Sequence, residues 1–163
     1  MVVLKNILVA TDFSEPSAVA LAYGRDFARS YNAALHVLHV VEDVMMRYSP
    51  EIGFATPNLQ KDLDAAARRD LDAIITADDR QTLTLVPVVQ SSVSVAGGIT
   101  DYAKANAIDL IIVGTHGRGA MKQFLMGSAA ERVVRTAPCP VLAVRARERD
   151  FIAPDALVAV TKT

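Results

Sequence analysis

Only one cysteine, Cys139, occurs among the 163 residues, so the chain can form no internal disulfide bond. That cysteine usage suits a reducing compartment. No apolar run approaches the length of a transmembrane helix. Lys5 interrupts the apolar stretch at the N-terminus, which therefore lacks the layout of a signal peptide. We expect a cytoplasmic protein that does not enter a membrane.

An excess of charge of either sign is also missing. The formal net charge is -1, so no overall basic field draws the chain to nucleic acid, and we expect none as a partner. Arginines do cluster toward the carboxyl end of the chain. We interpret them as part of a solvated helix face and a tail, which we favour over a basic patch that binds nucleic acid. With 52% hydrophobic and 21% charged residues, the composition is typical of a well-packed globular chain.

The sequence lacks the two commonest nucleotide-binding signatures and shows no obvious metal site. No Gly-Lys-Ser or Gly-Lys-Thr occurs, which excludes a Walker A loop, and no G-x-G-x-x-G follows the first predicted strand. His36 and His39 are three apart on a predicted strand and therefore point to opposite faces. They are poor partners for one metal ion, and we expect no metal site there.

What the sequence does contain is an alternation of strand-like and helix-like segments. The patterns predict strands at 4–10, 34–41, 82–90, 109–114 and 140–145, and helices at 15–31, 60–79, 95–106 and 128–136. Such alternation predicts an α/β fold, with a parallel sheet and helices on both faces. Pro87 favours an edge position for the third strand. We expect a single domain over residues 1–146, an inserted loop at 42–59 and a tail at 147–163.

Open parallel sheets bind ligands beyond the carboxyl ends of their strands. The segments that follow the strands are Ala10-Thr11-Asp12-Phe13-Ser14, Val40-Val41 and Gly114-Thr115-His116-Gly117-Arg118-Gly119, and Gly127-Ser128 lies further on. Ser128 and Glu131 have capping-box spacing, which predicts that Ser128 caps the last helix. Glycine turns beside a helix N-terminus indicate a phosphate site. Glycines that only punctuate turns are the alternative.

The pattern Gly114-x2-Gly117-x9-Gly127-Ser128 resembles the ATP-binding motif of the universal stress protein family. The opening Ala-Thr-Asp-Phe-Ser and the closing Ala-Pro-Cys-Pro-Val-Leu-Ala-Val are similar to that family as well, and the resemblance covers residues 2–146. It implies an open five-stranded parallel sheet of order 3-2-1-4-5, which is a Rossmann-like fold of the adenine nucleotide alpha hydrolase type. It also implies a homodimer, with ATP at the carboxyl edge of the sheet.

The resemblance also implies roles for single residues. Asp12 matches the acid near the ribose, and a helix-capping acid is the alternative. Thr11 and Val40 match positions that line the adenine pocket, Val40 through its backbone, and Ala10 is a further residue expected to bind the nucleotide. The positions that match the phosphate-side loop are Gly114, His116, Gly117, Arg118, Gly127, Ser128 and Ala129. His116 contacts the ligand through its ring or only through its backbone, and Arg118 either pairs with phosphate or is solvated.

Three functions remain open from the sequence. The first is a regulatory stress protein that binds ATP, or AMP or cyclic AMP, with Mg²⁺ carried on the phosphates and with slow or no turnover. The sequence offers no obvious general base for a γ-phosphate and no second acid to share a metal ion with Asp12. The second is a slow hydrolase or phosphotransferase that uses His116. The third is a nucleotide-free interaction module. The apolar fifth strand, Val141 to Val144, predicts a dimer in which two such strands pair.

Overall fold

The computed structural model describes residues 1–43, 57–115 and 126–145. Most of the predicted loop 42–59 lies outside these ranges, as do the tail 147–163 and three of the predicted site residues, His116, Gly117 and Arg118. The predicted domain limits therefore stay a prediction.

Five parallel strands form one sheet. They are β1 (Asn6–Ala10), β2 (Ala34–Glu42), β3 (Leu85–Ser92), β4 (Leu110–Gly114) and β5 (Val141–Val144). Their order is β3-β2-β1-β4-β5, and every neighbouring pair runs parallel. The predicted fold class and strand order are confirmed, as is the edge position of the strand that contains Pro87. The order reverses between β1 and β4, where this kind of sheet opens a crevice for ligands.

Helices cover both faces of the sheet, as predicted. They are α1 (Glu15–Tyr31), α2 (Pro57–Ile74), α3 (Ala77–Thr82), α4 (Val95–Ala105) and α5 (Ser128–Thr136). Side chains alternate along β2, so Leu35 and Val37 enter the core beneath α1 and α2, whereas Leu38 and Val40 enter the core beneath α4 and α5. Burial on both faces explains why the central strands read as continuous apolar runs.

The single helix predicted at 60–79 is wrong, because the chain forms two helices there. Thr76 adopts an extended backbone, with φ -82° and ψ 164°, and becomes the N-cap of α3. Its hydroxyl accepts a hydrogen bond from the Asp79 N–H at 3.1 Å, and the Asp79 carboxylate accepts one from the Thr76 N–H at 2.9 Å. This reciprocal capping box satisfies two backbone donors and stabilises the break between α2 and α3.

The predicted cap of the last helix is also wrong by one residue. Gly127 is the N-cap of α5, without a side-chain capping bond, and Ser128 is the first helical residue. At the start of α1, Ser14 occupies the N-cap position, and its hydroxyl bonds to the Asp12 carboxylate instead of capping the helix. Ser128 therefore does not cap α5, and Ser14 lies at the N-cap of α1 without a side-chain capping bond.

Candidate functional site

A cleft of about 380 Å³ opens at the carboxyl edge of the sheet, where the strand order reverses between β1 and β4. All eight predicted site residues that the structure describes line this cleft: Ala10, Thr11, Asp12, Val40, Gly114, Gly127, Ser128 and Ala129. They come from β1, β2, β4 and α5, or from the turns beside them. The topology thus brings residues from distant parts of the chain to one place.

The turn between β1 and α1 carries Asp12. The Asp12 carboxylate accepts hydrogen bonds from the Ser14 N–H, at 3.1 Å, and from the Ser14 hydroxyl. Phe13 has φ 63°, a left-handed backbone that an aromatic residue adopts at a cost. Asp12 thus closes a turn onto the residue two positions on, as aspartates often do. It is not the N-cap of α1, which argues against the alternative that it is only a capping acid.

Two buried hydroxyls beside this turn form a directed chain of hydrogen bonds. The Phe13 N–H donates to Thr11 Oγ1 at 3.1 Å, and Ser17 Oγ donates to the Ser14 carbonyl at 2.8 Å. Thr11 Oγ1 and Ser17 Oγ are 3.1 Å apart. Because Ser17 has already given its proton to a carbonyl, the Thr11 hydroxyl must donate to Ser17. Both hydroxyl protons are therefore used within this chain of hydrogen bonds, and neither is available to a ligand.

The opposite end of the cleft is formed by the start of α5. Because the helix begins at Ser128, the N–H groups of Ser128, Ala129 and Ala130 have no carbonyl partner within the helix. The N-terminus of a helix carries a partial positive charge, so this end offers hydrogen-bond donors and attracts anions. The two ends of the cleft therefore have opposite hydrogen-bonding character.

Gly114 has a packing role that the sequence did not reveal. A Cβ at this position would lie 2.8 Å from the carbonyl carbon of Pro16 and 3.0 Å from its oxygen. Real Cβ atoms do not approach backbone that closely, so glycine is what allows the first turn of α1 to pack against the end of β4. Gly127, by contrast, has φ -60° and ψ 144°, a backbone conformation open to any residue.

Apolar side chains form much of the remaining wall of the cleft. Sequence reasoning missed eight lining residues, which are Ser17, Leu38, His39, Val95, Ile99, Val113, Ala130 and Val133. The apolar ones look like ordinary core positions in the sequence. Within the described residues, no three potential metal-ligating side chains lie together. In that same part of the chain, no helix is long and apolar enough to span a membrane.

Known proteins resemble this chain over most of its length. Universal stress protein A homolog 1 of Coxiella burnetii is 34% identical over 150 residues, which cover 88% of this chain and 98% of the relative. The solved structure of universal stress protein UspA from Lactobacillus plantarum is 30% identical, with a TM-score of 0.74. That match covers 89% of this chain and 100% of the other.

More distant solved structures share the fold and contain nucleotides. A universal stress protein from Archaeoglobus fulgidus in complex with dAMP has a TM-score of 0.62 at 17% identity, over 88% of this chain and 99% of the other. A universal stress protein in complex with cAMP has a TM-score of 0.56 at 20% identity, over 90% of this chain and 100% of the other. At these identities the likeness concerns the fold.

The family model that matches this chain is described as the universal stress protein family, and it spans residues 4–145. The match includes all five strands and both ends of the cleft. This chain belongs to the universal stress protein family.

Proposed function

We propose that this protein binds an adenine nucleotide in the cleft between the β1–α1 turn and the start of α5. The observation that carries the proposal is the opposite character of the two ends. One end presents the Asp12 carboxylate and two hydroxyls, Thr11 and Ser17, whose protons are already used, whereas α5 presents backbone N–H groups. A nucleotide has the matching asymmetry, with hydroxyl donors on its ribose and an anion at its phosphates.

The size and chemistry of the cleft fit such a ligand. Its volume of about 380 Å³ lies within the usual range of small-molecule sites. Leu38, Val95 and Val113 offer an apolar surface to the base. The Asp12 carboxylate has two oxygens that accept hydrogen bonds from ribose hydroxyls. The N–H groups of Ser128 and Ala129 face the phosphates in this arrangement.

ATP is the nucleotide that we propose, and AMP and cyclic AMP are the alternatives. The dAMP and cAMP complexes of the two distant family members support an adenine nucleotide in general. Mg²⁺ would be held by the ATP phosphates, which supply the hard oxygen ligands it prefers. In the family motif, His116, Gly117 and Arg118 would complete the phosphate side. They lie outside the described residues.

We infer a regulatory role in stress, with slow or no turnover of the nucleotide. The alternative is a slow ATP hydrolase or phosphotransferase that uses His116. A steady-state ATPase assay separates the two, because a binding protein leaves ATP intact over many binding half-lives. We also place the protein in the cytoplasm, as a homodimer joined through β5.

Isothermal titration tests the proposed ligand. We expect ATP to bind with a Kd on the order of micromolar, about -8 kcal/mol. Asp12→Ala is expected to weaken ATP and adenosine alike, because its contact is to the ribose that they share. The matched control is Asp101→Ala, which removes an exposed carboxylate on α4 outside the cleft lining. No heat and no thermal shift with ATP, AMP or cyclic AMP would overturn the proposal.

A further inference from the structure

His39 lies at the carboxyl end of β2, directly beside the turn that carries Asp12. Its Nδ1 atom is 2.8 Å from the Thr11 carbonyl oxygen. A carbonyl oxygen only accepts hydrogen bonds, so Nδ1 must carry the hydrogen and donate it. In the neutral ring this leaves Nε2 as an acceptor, which fixes the tautomer of His39.

The same imidazole ring also stacks on Phe13. The two ring centroids are 4.5 Å apart, and the ring planes meet at 30°. Phe13 is held at φ 63°, a conformation that persists only where surrounding contacts stabilise it. His39 thus contacts both neighbours of Asp12, the one before through a hydrogen bond and the one after through stacking.

We propose that His39 is a positioning residue of the nucleotide site, which holds the β1–α1 turn so that the Asp12 carboxylate keeps its place. The inference rests on the proposed nucleotide function and extends it to a residue that no ligand contact requires. The turn connects a buried strand to a helix, and its backbone is strained at Phe13. His39 donates a hydrogen bond to the Thr11 carbonyl and stacks its ring on Phe13. Together these two contacts favour one conformation of the turn over the others that the chain could adopt.

The second histidine of β2 provides an internal comparison. His36 points to the other face of the sheet, where its Nδ1 is 2.8 Å from the Tyr102 hydroxyl oxygen. It does not line the cleft. A substitution at His36 therefore disturbs a buried strand histidine without touching the turn.

Nitrogen-15 NMR of the unmodified protein tests the contact directly. The chain has three histidines, so the ring signals can be assigned with single variants. We expect His39 in the Nδ1–H tautomer, and we expect its signals to shift when ATP or adenosine is added, while those of His36 stay in place. A His39 ring protonated only at Nε2, or one that ATP leaves unmoved although ATP binds, would overturn the positioning role.

Two substitutions of His39 distinguish the contribution of its hydrogen bond from that of its stacked ring. His39→Asn places an amide N–H close to the position of Nδ1, so we expect it to bind ATP and adenosine within about threefold of the unmodified protein. His39→Phe keeps the stacked ring but has no donor, and we expect it to lose about tenfold or more in affinity for both ligands. His36→Phe makes the same chemical change at a residue outside the cleft lining, and we expect it to keep full affinity for both ligands.

The outcomes distinguish the two proposals. If His39→Phe loses affinity and His39→Asn keeps it, the positioning role is supported, since a general loss of stability would not be rescued by the smaller residue. If both variants bind as the unmodified protein does, His39 is an ordinary strand residue and only the nucleotide function stands. If the unmodified protein binds neither ATP nor adenosine, the proposed function itself fails, whatever tautomer His39 adopts.

Discussion

At the scale of single residues, Gly127 is expected to decide how closely the phosphates of the proposed nucleotide approach α5. Its backbone, at φ -60° and ψ 144°, is accessible to every amino acid, so no conformational strain requires a glycine here. The remaining reason for glycine is space, because Gly127 lines the cleft beside the first free N–H groups of the helix. We therefore expect a side chain at Gly127 to affect ligand binding more than folding.

Gly127→Val is expected to weaken ATP binding by at least tenfold, about 1.4 kcal/mol, while adenosine binding changes little. The added side chain occupies room beside the phosphates and lies far from the ribose. The free energy of unfolding is expected to change by less than about 1 kcal/mol, because valine accommodates this backbone conformation. Titration calorimetry with both ligands and a urea melt measure the two quantities. A Gly127→Val protein with unchanged ATP affinity would show that the phosphates lie elsewhere.

Ser128→Ala is a milder change at the same end of the cleft. Because Ser128 is the first helical residue and not the cap, its loss is not expected to destabilise α5. The variant is expected to lose one hydrogen bond to the phosphates of the proposed nucleotide, so titration calorimetry is expected to show an ATP affinity lower by about 1 kcal/mol.

His36 makes the stability of the fold depend on pH. Burial lowers the pKa of His36 from its ordinary value of 6.5, because the charged ring loses its hydration. The folded state therefore favours the neutral ring. Its contribution to stability is complete above pH 6.5 and is lost as the pH falls below that value, where the unfolded chain takes up the proton first.

We expect the free energy of unfolding to be lower at pH 5 than at pH 8, and we expect His36→Phe to lose less over the same interval. Each unit by which the pKa of His36 is lowered corresponds to about 1.4 kcal/mol. Urea unfolding at the two pH values, followed by circular dichroism, gives the difference. An equal loss in both proteins would assign the pH dependence to other groups.

At the scale of elements, the buried ion pair between Arg25 and Asp79 fastens α3 to α1, beside a surface pair between Arg29 and Asp78. Arg25 donates from Nε and from its terminal NH2 group to the two Asp79 carboxylate oxygens, at 2.8 and 2.7 Å, and also to the Ile74 carbonyl at 2.9 Å. The Asp79 side chain is only 3% exposed. Burial raises the pKa of Asp79, but hydrogen bonds from Arg25 and Thr76 and the Arg25 charge outweigh it, so the net pKa lies below the usual value.

Asp79→Ala is expected to destabilise the protein by about 3 kcal/mol, because it leaves a partly buried arginine without its partner and removes half of the capping box of α3. Asp78→Ala is the matched control. Asp78 pairs with Arg29 at 2.8 Å on the surface, where the two side chains are 67% and 41% exposed, and its loss is expected to cost less than about 1 kcal/mol. Thermal melts of both variants check the contrast, and similar melting temperatures would contradict the proposed role of the Arg25–Asp79 pair.

At the scale of the whole molecule, the outer edge of β5 is the surface that we expect to join two copies. The Ile111 N–H donates to the Pro140 carbonyl, and the Thr115 N–H donates to the Val144 carbonyl. Pro140 and Val144, the even-numbered residues of β5 and its start, therefore direct their backbone groups toward β4. Alternation along the strand then directs the N–H groups of Val141 and Ala143 outward. No other described strand pairs with this apolar edge, which is therefore able to pair with its own copy across a two-fold axis.

Ala143→Pro is expected to turn a dimer into a monomer, because it removes an outward N–H while leaving the bonds to β4 in place. Leu142→Pro is the contrasting variant, since it removes an inward donor and is expected to destabilise the sheet itself. Light scattering at micromolar concentration gives the mass of each protein. A monomeric unmodified protein, or a dimer that survives Ala143→Pro, would contradict pairing through β5.

The sequence alone determined the succession of strands and helices and the layers they form. Local periodicity reports which side chains are buried, and proline at residue 87 favours an edge strand, so these features follow from short windows of sequence. The order of the strands came from the family resemblance, because residues on one strand do not specify which other strand lies beside it. The break at Thr76 has a local signature, the capping sequence Thr-x-x-Asp. The helical pattern of apolar residues continues across it, and the two helices were therefore predicted as one.

Only the tertiary structure decided what surrounds the predicted ligand residues. Thr11, Asp12 and Gly127 were predicted from their motifs. The hydrogen bond from Thr11 to Ser17 and the contact of His39 with the Thr11 carbonyl depend on the register of β1 against β2 and on the position of α1. Gly114 was assigned to the ligand, and only the approach of Pro16 revealed its packing role. These contacts join residues whose separation in space is fixed by how strands and helices pack, and no local pattern of side chains specifies that packing.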